Sequence, residues 1–378
     1  MLNKIDKNLY DKISIAGLNN NEIDVIVYLN DYFHSIKEME CLYNNIVKFP
    51  FVSGFATRLS LKCIIELSQK HCVRYITDSC SVCSLMYKSK RFIGIDSLYS
   101  RLIQVPQSSV VIIDTGIYPH IDFCLGRNRI IKFVDLINNK NEMYDDNGHG
   151  TFVAGVLCGW GIVDRYSGID KMCNIIVIKA LDKSGETTTV KILEAMQWVL
   201  DNKLLYNITT VCMSFGSLYR DEDPLVKGVE VLWNNGLVVV CAGGNSGPQY
   251  ETIMSPGCSR KVITVGSLDT IGGKELRVAD FSSRGPAGNY YKPDMVLPGT
   301  NIVSTNVFNV NKQFYTTMSG TSVSTPMVAG VVSLLKSIDS KYTPDQIKYM
   351  LISASVPIEG DRNKEGFGYL DLKRIVLI

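Results

Sequence analysis

The sequence predicts an α/β protein: a parallel sheet with helices on both faces, preceded by a small βαββαβ unit. Three observations carry this. From Val110 onward short continuous Val/Ile runs recur, each bounded by Gly, Ser, Asn or Asp. Amphipathic helical patterns separate several of them, and apolar strands alternating with helices imply a parallel sheet covered on both sides. Ahead of these runs, residues 21–78 alternate strand and helix periods in the order β-α-β-β-α-β. With 46% hydrophobic and 20% charged residues, the composition is globular. At 378 residues, one large domain plus a small one is expected.

Taken in order, residues 1–20 are polar and read as a loose lead-in. Ile23–Leu29 reads as a strand, and Ile36, Met39, Leu42, Tyr43 and Ile46 fall at helical spacing. Phe51–Ser60 reads as a strand pair, Leu61, Ile64, Ile65 and Leu67 as a second helix, and Val73–Thr77 as a last strand. That order is the split βαβ, or ferredoxin-like, arrangement. Ser79–Gln107 reads as an irregular linker, which sets domains of 21–90 and 91–378. Beyond it lie strands at Val110–Asp114, Ile175–Leu181, Ile208–Ser214, Leu237–Gly244 and Val262–Ser267. Helices are expected at Val190–Lys203 and Pro224–Gly236. In such sheets the chemistry sits beyond the carboxyl ends of the strands.

The charge balance, 39 Lys+Arg against 37 Asp+Glu, gives +2 and no support for a nucleic-acid or anionic-membrane partner. The Ile23–Leu29 run is interrupted by Asp24 and has no cleavage site behind it, and no stretch approaches the roughly eighteen apolar residues of a membrane span. A soluble, intracellular protein without an export signal is the expectation. The 11 cysteines are then mostly reduced thiols, with Cys158, Cys212 and Cys241 in core positions. Cys80 and Cys83 form a lone C-x-x-C pair in the linker, a redox latch or a coincidence of a cysteine-rich chain. With only His34, His71, His120 and His149 available, it is a weak zinc signal.

Three segments carry candidate chemistry. A buried strand ends in Asp114 before Thr115-Gly116. Asp145-Asp-Asn-Gly-His149-Gly precedes a helix of small residues. Met318-Ser-Gly-Thr-Ser322-Val-Ser-Thr-Pro326 opens another helix. Singly, each has an ordinary reading: Asp114 a turn former, His149 a cap, Ser322 an N-cap. Together, an aspartate, a histidine and a serine at a helix N-terminus are the parts of a nucleophilic triad.

In local sequence and in the order Asp…His…Ser these segments resemble the subtilases, the subtilisin-like serine proteases, over roughly residues 95–378. A fourth segment, Val238–Gly247, resembles the family's strand and turn bearing the oxyanion asparagine, here Asn245. The resemblance implies a serine endopeptidase: Ser322 attacks, His149 takes its proton, Asp114 orients the imidazole, and Asn245 with the Ser322 N–H holds the oxyanion. It implies a peptide or protein substrate, laid as an added strand between Ser214-Phe215-Gly216 and Gly185-Glu186-Thr187. Met254 stands where many members have a glycine at the floor of the pocket for the residue before the cut, which favours a small residue there. Val323 replaces an oxidisable methionine.

The chemistry needs no cofactor, and no metal ligand is assigned. The resemblance raises a structural calcium, since Asp122 lies near a family ligand position. The matching loop, Trp160–Tyr166, lacks the expected side-chain carbonyl; Asp164 is the substitute on offer, and no oxygen cage is evident. The βαββαβ unit resembles the subtilase propeptide, an inhibitor and folding aid, with a tail at Asp78–Lys90 lying product-like in the active site and cut within Ser81–Lys90. A small unrelated accessory domain is the bland alternative. The rival to the enzyme is a pseudoprotease that keeps the fold and binds peptides uncut. Gly320-Thr-Ser-Val-Ser324 lacks the esterase G-x-S-x-G elbow. Oligomeric state is open.

Overall fold

The computed structural model describes residues 4–6, 9, 22–43, 45–78, 81–84 (as backbone), 94, 95, 98, 108–162, 166–271, 275–307 and 313–377. The N-terminal unit runs β1 (Ile23–Leu29), α1 (Tyr32–Leu42), β2 (Val47–Phe49), β3 (Gly54–Leu59), α2 (Leu61–Ser68) and β4 (Val73–Asp78). Its antiparallel sheet has the order β2-β3-β1-β4. In β1 the alternation separates two cores: Val25, Val27 and Leu29 pack with Met39, Ile64 and Leu67, while Ile26 and Tyr28 face the large domain.

Three details differ from the sequence reading. Helix α1 begins where Asp31 accepts from His34 N and ends before Ile46. The strand pair is β2 with β3, because Pro50 has no N–H for a ladder and opens a 3-10 turn, Pro50–Val52, between them. Nor is all of the lead-in loose. Ile5 and Leu9 are buried, and Asp6 N donates to Ile76 O at 2.9 Å along the outer edge of β4.

Two residues after β4 comes β5 (Ser81–Ser84), a strand inside the segment read as irregular. The large domain then runs β6 (Ser109–Asp114), α3 (Ile121–Cys124), β7 (Ile130–Asp135), α4 (His149–Cys158), β8 (Asn174–Lys179), β9 (Glu186–Thr188) and α5 (Thr189–Asn202). It continues through β10 (Ile208–Met213), β11 (Phe215–Gly216), α6 (Pro224–Asn234), β12 (Val238–Ala242), β13 (Ile263–Ile271) and β14 (Glu275–Val278). The chain closes with β15 (Met295–Pro298), β16 (Ile302–Thr305), β17 (Tyr315–Met318), α7 (Thr321–Ile338), α8 (Pro344–Ser353), β18 (Ser355–Val356), α9 (Arg362–Glu365) and β19 (Tyr369–Leu370).

The main sheet has the order β18-β19-β15-β13-β12-β10-β6-β8-β7, with β14 on β13. Its central strands are parallel, from β7 through β8, β6, β10, β12 and β13 to β15. Every residue of β6 and β12 is buried, so both faces of the sheet are covered. Strand order reverses at β6: β7 and β8 lie to one side, β10 and its successors to the other. Such a switch point opens a crevice at the strand ends. Helix α7 is long and apolar enough by composition to cross a membrane, yet it packs against α4, β10, β12 and β13 with 89% of its length buried.

The N-terminal unit lies against α5 and α6. A Cβ on Gly228 of α6 would stand 2.4 Å from Met196 Sδ and 3.4 Å from Phe51 Cε2, so glycine is what lets these elements approach. Lys227 Nζ sits 4.1 Å from the centre of the Tyr28 ring.

Candidate active site

Asp114 is the last residue of β6, at the switch point, and His149 is the first of α4. His149 Nδ1 meets Asp114 Oδ1 at 2.7 Å, and both side chains are fully buried. An ionised carboxylate only accepts, so Nδ1 carries the proton. Thr115 N donates to the same oxygen at 2.7 Å. The two segments are fitted closely: a Cβ on Gly150 would lie 2.2 Å from Gly116 O.

Asp145 holds this junction together. Its carboxylate accepts from Thr115 Oγ1, from the backbone N–H groups of Asn147, Gly148 and Thr151, and from Thr151 Oγ1. It thereby serves the unpaired donors at the start of α4 and ties them to the turn after Asp114. Lys179, buried at the end of β8, donates to Thr115 O, Leu181 O and Asp146 Oδ1. Neither Asp145 nor Lys179 was singled out from sequence. The D-x-x-x-H spacing, an acidic residue just ahead of a helix start, was the available signal for Asp145.

Ser322 lies in the first turn of α7, which packs against α4. The helix starts one residue earlier than the sequence suggested, with Gly320 at φ 144° before it. Ser322 Oγ is buried and makes no hydrogen bond among the described residues, so the serine–histidine link is not closed here. Asn245 follows β12 and is oriented by Thr321, whose backbone N–H and Oγ1 both donate to Asn245 Oδ1, at 3.0 and 3.2 Å. Gly244 N in turn donates to Thr321 Oγ1 at 3.1 Å. With Oδ1 engaged, the amide NH2 of Asn245 is its outward donor. Thr321 is a third residue that sequence reasoning missed.

The expected substrate-binding segments are edges of one small sheet. Strand β5 lies between β11 and β9, antiparallel to both. Ser84 pairs with Phe215, Cys83 with Gly216 and Glu186, Val82 with Thr187, and Ser81 with Thr188. Ser214 is buried beside Cys212, at 3.7 Å between Oγ and Sγ; burial pushes the Cys212 thiol up to about 12. Gly185, at φ 76°, turns the chain into β9. Met254 lies between Gly216 and Gly244: a Cβ on either glycine would come within 2.8 or 2.6 Å of its side chain.

The carboxylate of Asp122 is fully buried and accepts from Gly161 N (3.0 Å), Ile162 N (3.2 Å) and Tyr315 OH (3.0 Å). Donors point where calcium would need oxygens, so the described residues do not fit that ion. Asp164 and Cys80 lie outside the described residues, and Cys83 is described only by its backbone pairing. Cys158, Cys212 and Cys241 are buried, as expected of core thiols.

Residues 107–369 match the Subtilase family. The chain is 42% identical over 272 residues to the serine protease AprX of Bacillus subtilis (strain 168), covering 64% of this chain and 60% of AprX. It is 31% identical to the thermostable alkaline protease of Halalkalibacterium halodurans, over 68% of this chain and 64% of that one. It is 29% identical to an intracellular serine protease of Paenibacillus polymyxa, over 70% of this chain and 79% of the relative. The chain thus spans somewhat under two thirds of the length of the first two.

Proposed function

The chain belongs to the subtilase family, and from that premise we propose that it is a serine endopeptidase made as a zymogen. The observation that carries the reading is the buried 2.7 Å contact of His149 with Asp114 at the sheet's switch point, beside the helix that presents Ser322. A serine hydroxyl is a weak nucleophile at its own pKa. His149 Nε2 takes the proton as Ser322 Oγ attacks the carbonyl carbon of the substrate. Asp114 keeps the proton on Nδ1 and stabilises the imidazolium that results. The tetrahedral oxyanion is met by the Asn245 amide and the Ser322 N–H in the first turn of α7. His149 then protonates the leaving amine, and water repeats the sequence to free Ser322.

The strand order β2-β3-β1-β4 and the seating of β5 between β11 and β9 support the reading of residues 21–90 as an inhibitory propeptide domain. In that reading β5 occupies the groove as a peptide substrate would, by backbone pairing on two edges. Buried thiols at Cys158, Cys173, Cys212, Cys241 and Cys258 fit an intracellular site of action.

Two measurements test the proposal. A fluorophosphonate probe should label the full chain at Ser322, and the Ser322→Ala chain should neither be labelled nor cleave peptides. N-terminal mass spectrometry of the active chain should find a new terminus within residues 81–90 that the Ser322→Ala chain lacks. A labelled Ser322→Ala chain would sink the catalytic assignment, and a single uncut chain starting at Met1 would sink the zymogen.

A further inference from the structure

Arg220 follows β11 by four residues and is 8% exposed, yet its ion-pair partner, Asp78, belongs to the N-terminal unit. Asp78 is itself 1% exposed and is the last residue of β4. Three residues on, Ser81 begins the strand in the groove. An extended chain advances about 3.3 Å per residue, so the Arg220 contact lies within about 10 Å of the upstream end of that strand. Asp78 thus stands three residues upstream of β5 in the chain, and Arg220 meets it there.

Arg220 Nε makes no hydrogen bond among the described residues, so the guanidinium has unused donor capacity. The carboxylates facing it are Asp78, Asp6 of the lead-in and Asp223 of the large domain. Asp223 Oδ1 accepts from Leu225 N at 2.8 Å at the start of α6, and its Oδ2 makes no hydrogen bond among the described residues. When the N-terminal unit leaves, Asp78 and Asp6 leave with it, and Asp223 remains as the carboxylate facing a largely desolvated cation at the end of an open groove. Losing two of three facing carboxylates is costly for such a charge, and an incoming carboxylate restores the charge-assisted pair that Asp78 made.

We propose that Arg220 is an anion subsite of the substrate groove, selecting Asp or Glu six residues upstream of the substrate residue that pairs with Phe215. In the uncut chain Asp78 fills it. This rests on the endopeptidase reading above, and Arg220 acts on the substrate rather than on the reacting atoms. The selection comes in addition to backbone pairing, which carries no side-chain preference of its own.

The test uses the full chain, its reactive serines counted with a fluorophosphonate, and synthetic peptides of residues 76–90 bearing either Asp78 or Asn in its place. The Asp78 peptide should show kcat/KM about tenfold above the Asn peptide. Arg220→Met should bring the two to parity while leaving cleavage of a residue 81–90 peptide unchanged; Arg220→Gln serves if Arg220→Met does not fold. Equal cleavage of the long peptides by the Arg220 protein, or a preference that survives Arg220→Met, overturns the proposal. A second measurement needs no catalysis: amide exchange of residues 81–84 in the Ser322→Ala chain should rise about tenfold on adding Asp78→Asn or Arg220→Met. Unchanged exchange overturns the anion site, whereas a chain that fails only to label or cleave sinks the endopeptidase reading and leaves the exchange result to decide this one.

Discussion

Met254 Cγ lies 2.6 Å from where a Cβ on Gly244 would stand, so the methionine fills the space beside the strand end that leads to Asn245. On its other side it meets Gly216 of the groove edge. In the proposed groove, a substrate side chain entering between these two backbones would meet the thioether first.

Peptide profiling should therefore show Ala, Ser or another small residue before the cut. Met254→Gly should raise kcat/KM for Phe or Tyr at that position by about tenfold or more, since a few buried methylenes decide such ratios. A wild-type preference for Phe or Tyr would count against the filled pocket.

Asn245→Ala should lower kcat by about 10²–10³, the magnitude known for the oxyanion asparagine of a subtilisin, with little change in KM. Thr321→Val removes the hydroxyl that donates to Asn245 Oδ1 and accepts from Gly244 N. It should cost about tenfold in kcat, and Thr321→Ser should restore it. Loss of KM instead of kcat would make Thr321 merely structural.

Burial raises the Asp223 carboxyl to about 6. A carboxyl raised in the folded state favours folding below its unfolded value, near 4, and loses that advantage as pH climbs through 6. Asparagine caps a helix as well as aspartate does. Asp223→Asn in the Ser322→Ala background should thus raise Tm by a few degrees at pH 8 and leave it unchanged at pH 4. An equal shift at both pH values would contradict the linkage.

Tyr315→Phe withdraws an O–H donor from the buried Asp122 carboxylate and should destabilise by about 1–3 kcal/mol. Addition of a chelator should leave the wild-type Tm where it is. A fall in Tm on chelation, reversed by calcium, would show that a cation supplements those donors.

Asp114, His149, Ser322 and Asn245 stood out in the sequence because their flanking segments, Asp114–Gly116, Asp145–Gly155, Met318–Gly330 and Val238–Gly247, resemble subtilase motifs and the first three fall in the order Asp…His…Ser. The parallel sheet was readable from its Val/Ile runs, such as those of β6 and β12. What was hidden works through partners distant in the chain. Thr321 matters because Asn245, 76 residues earlier, folds back onto it. Strand β5 has no apolar signature, since its pairing is with β9 and β11 and its backbone does the work. Ile5 and Leu9 look isolated in a polar stretch, and the core of the N-terminal unit takes them in, with Ile5 bridging to Ile76 of β4.

The N-terminal unit grips the large domain twice: once by its sheet on α5 and α6, once by β5 in the groove. Two residues join the grips. A cut downstream of Ser84 severs neither, so each would hold the other at a high effective concentration, on the order of millimolar for so short a tether. In the proposed zymogen, cleavage and release are then separate events with separate rates, and the lag between them is set by how fast one grip is digested or unfolds, not by the first turnover at Ser322.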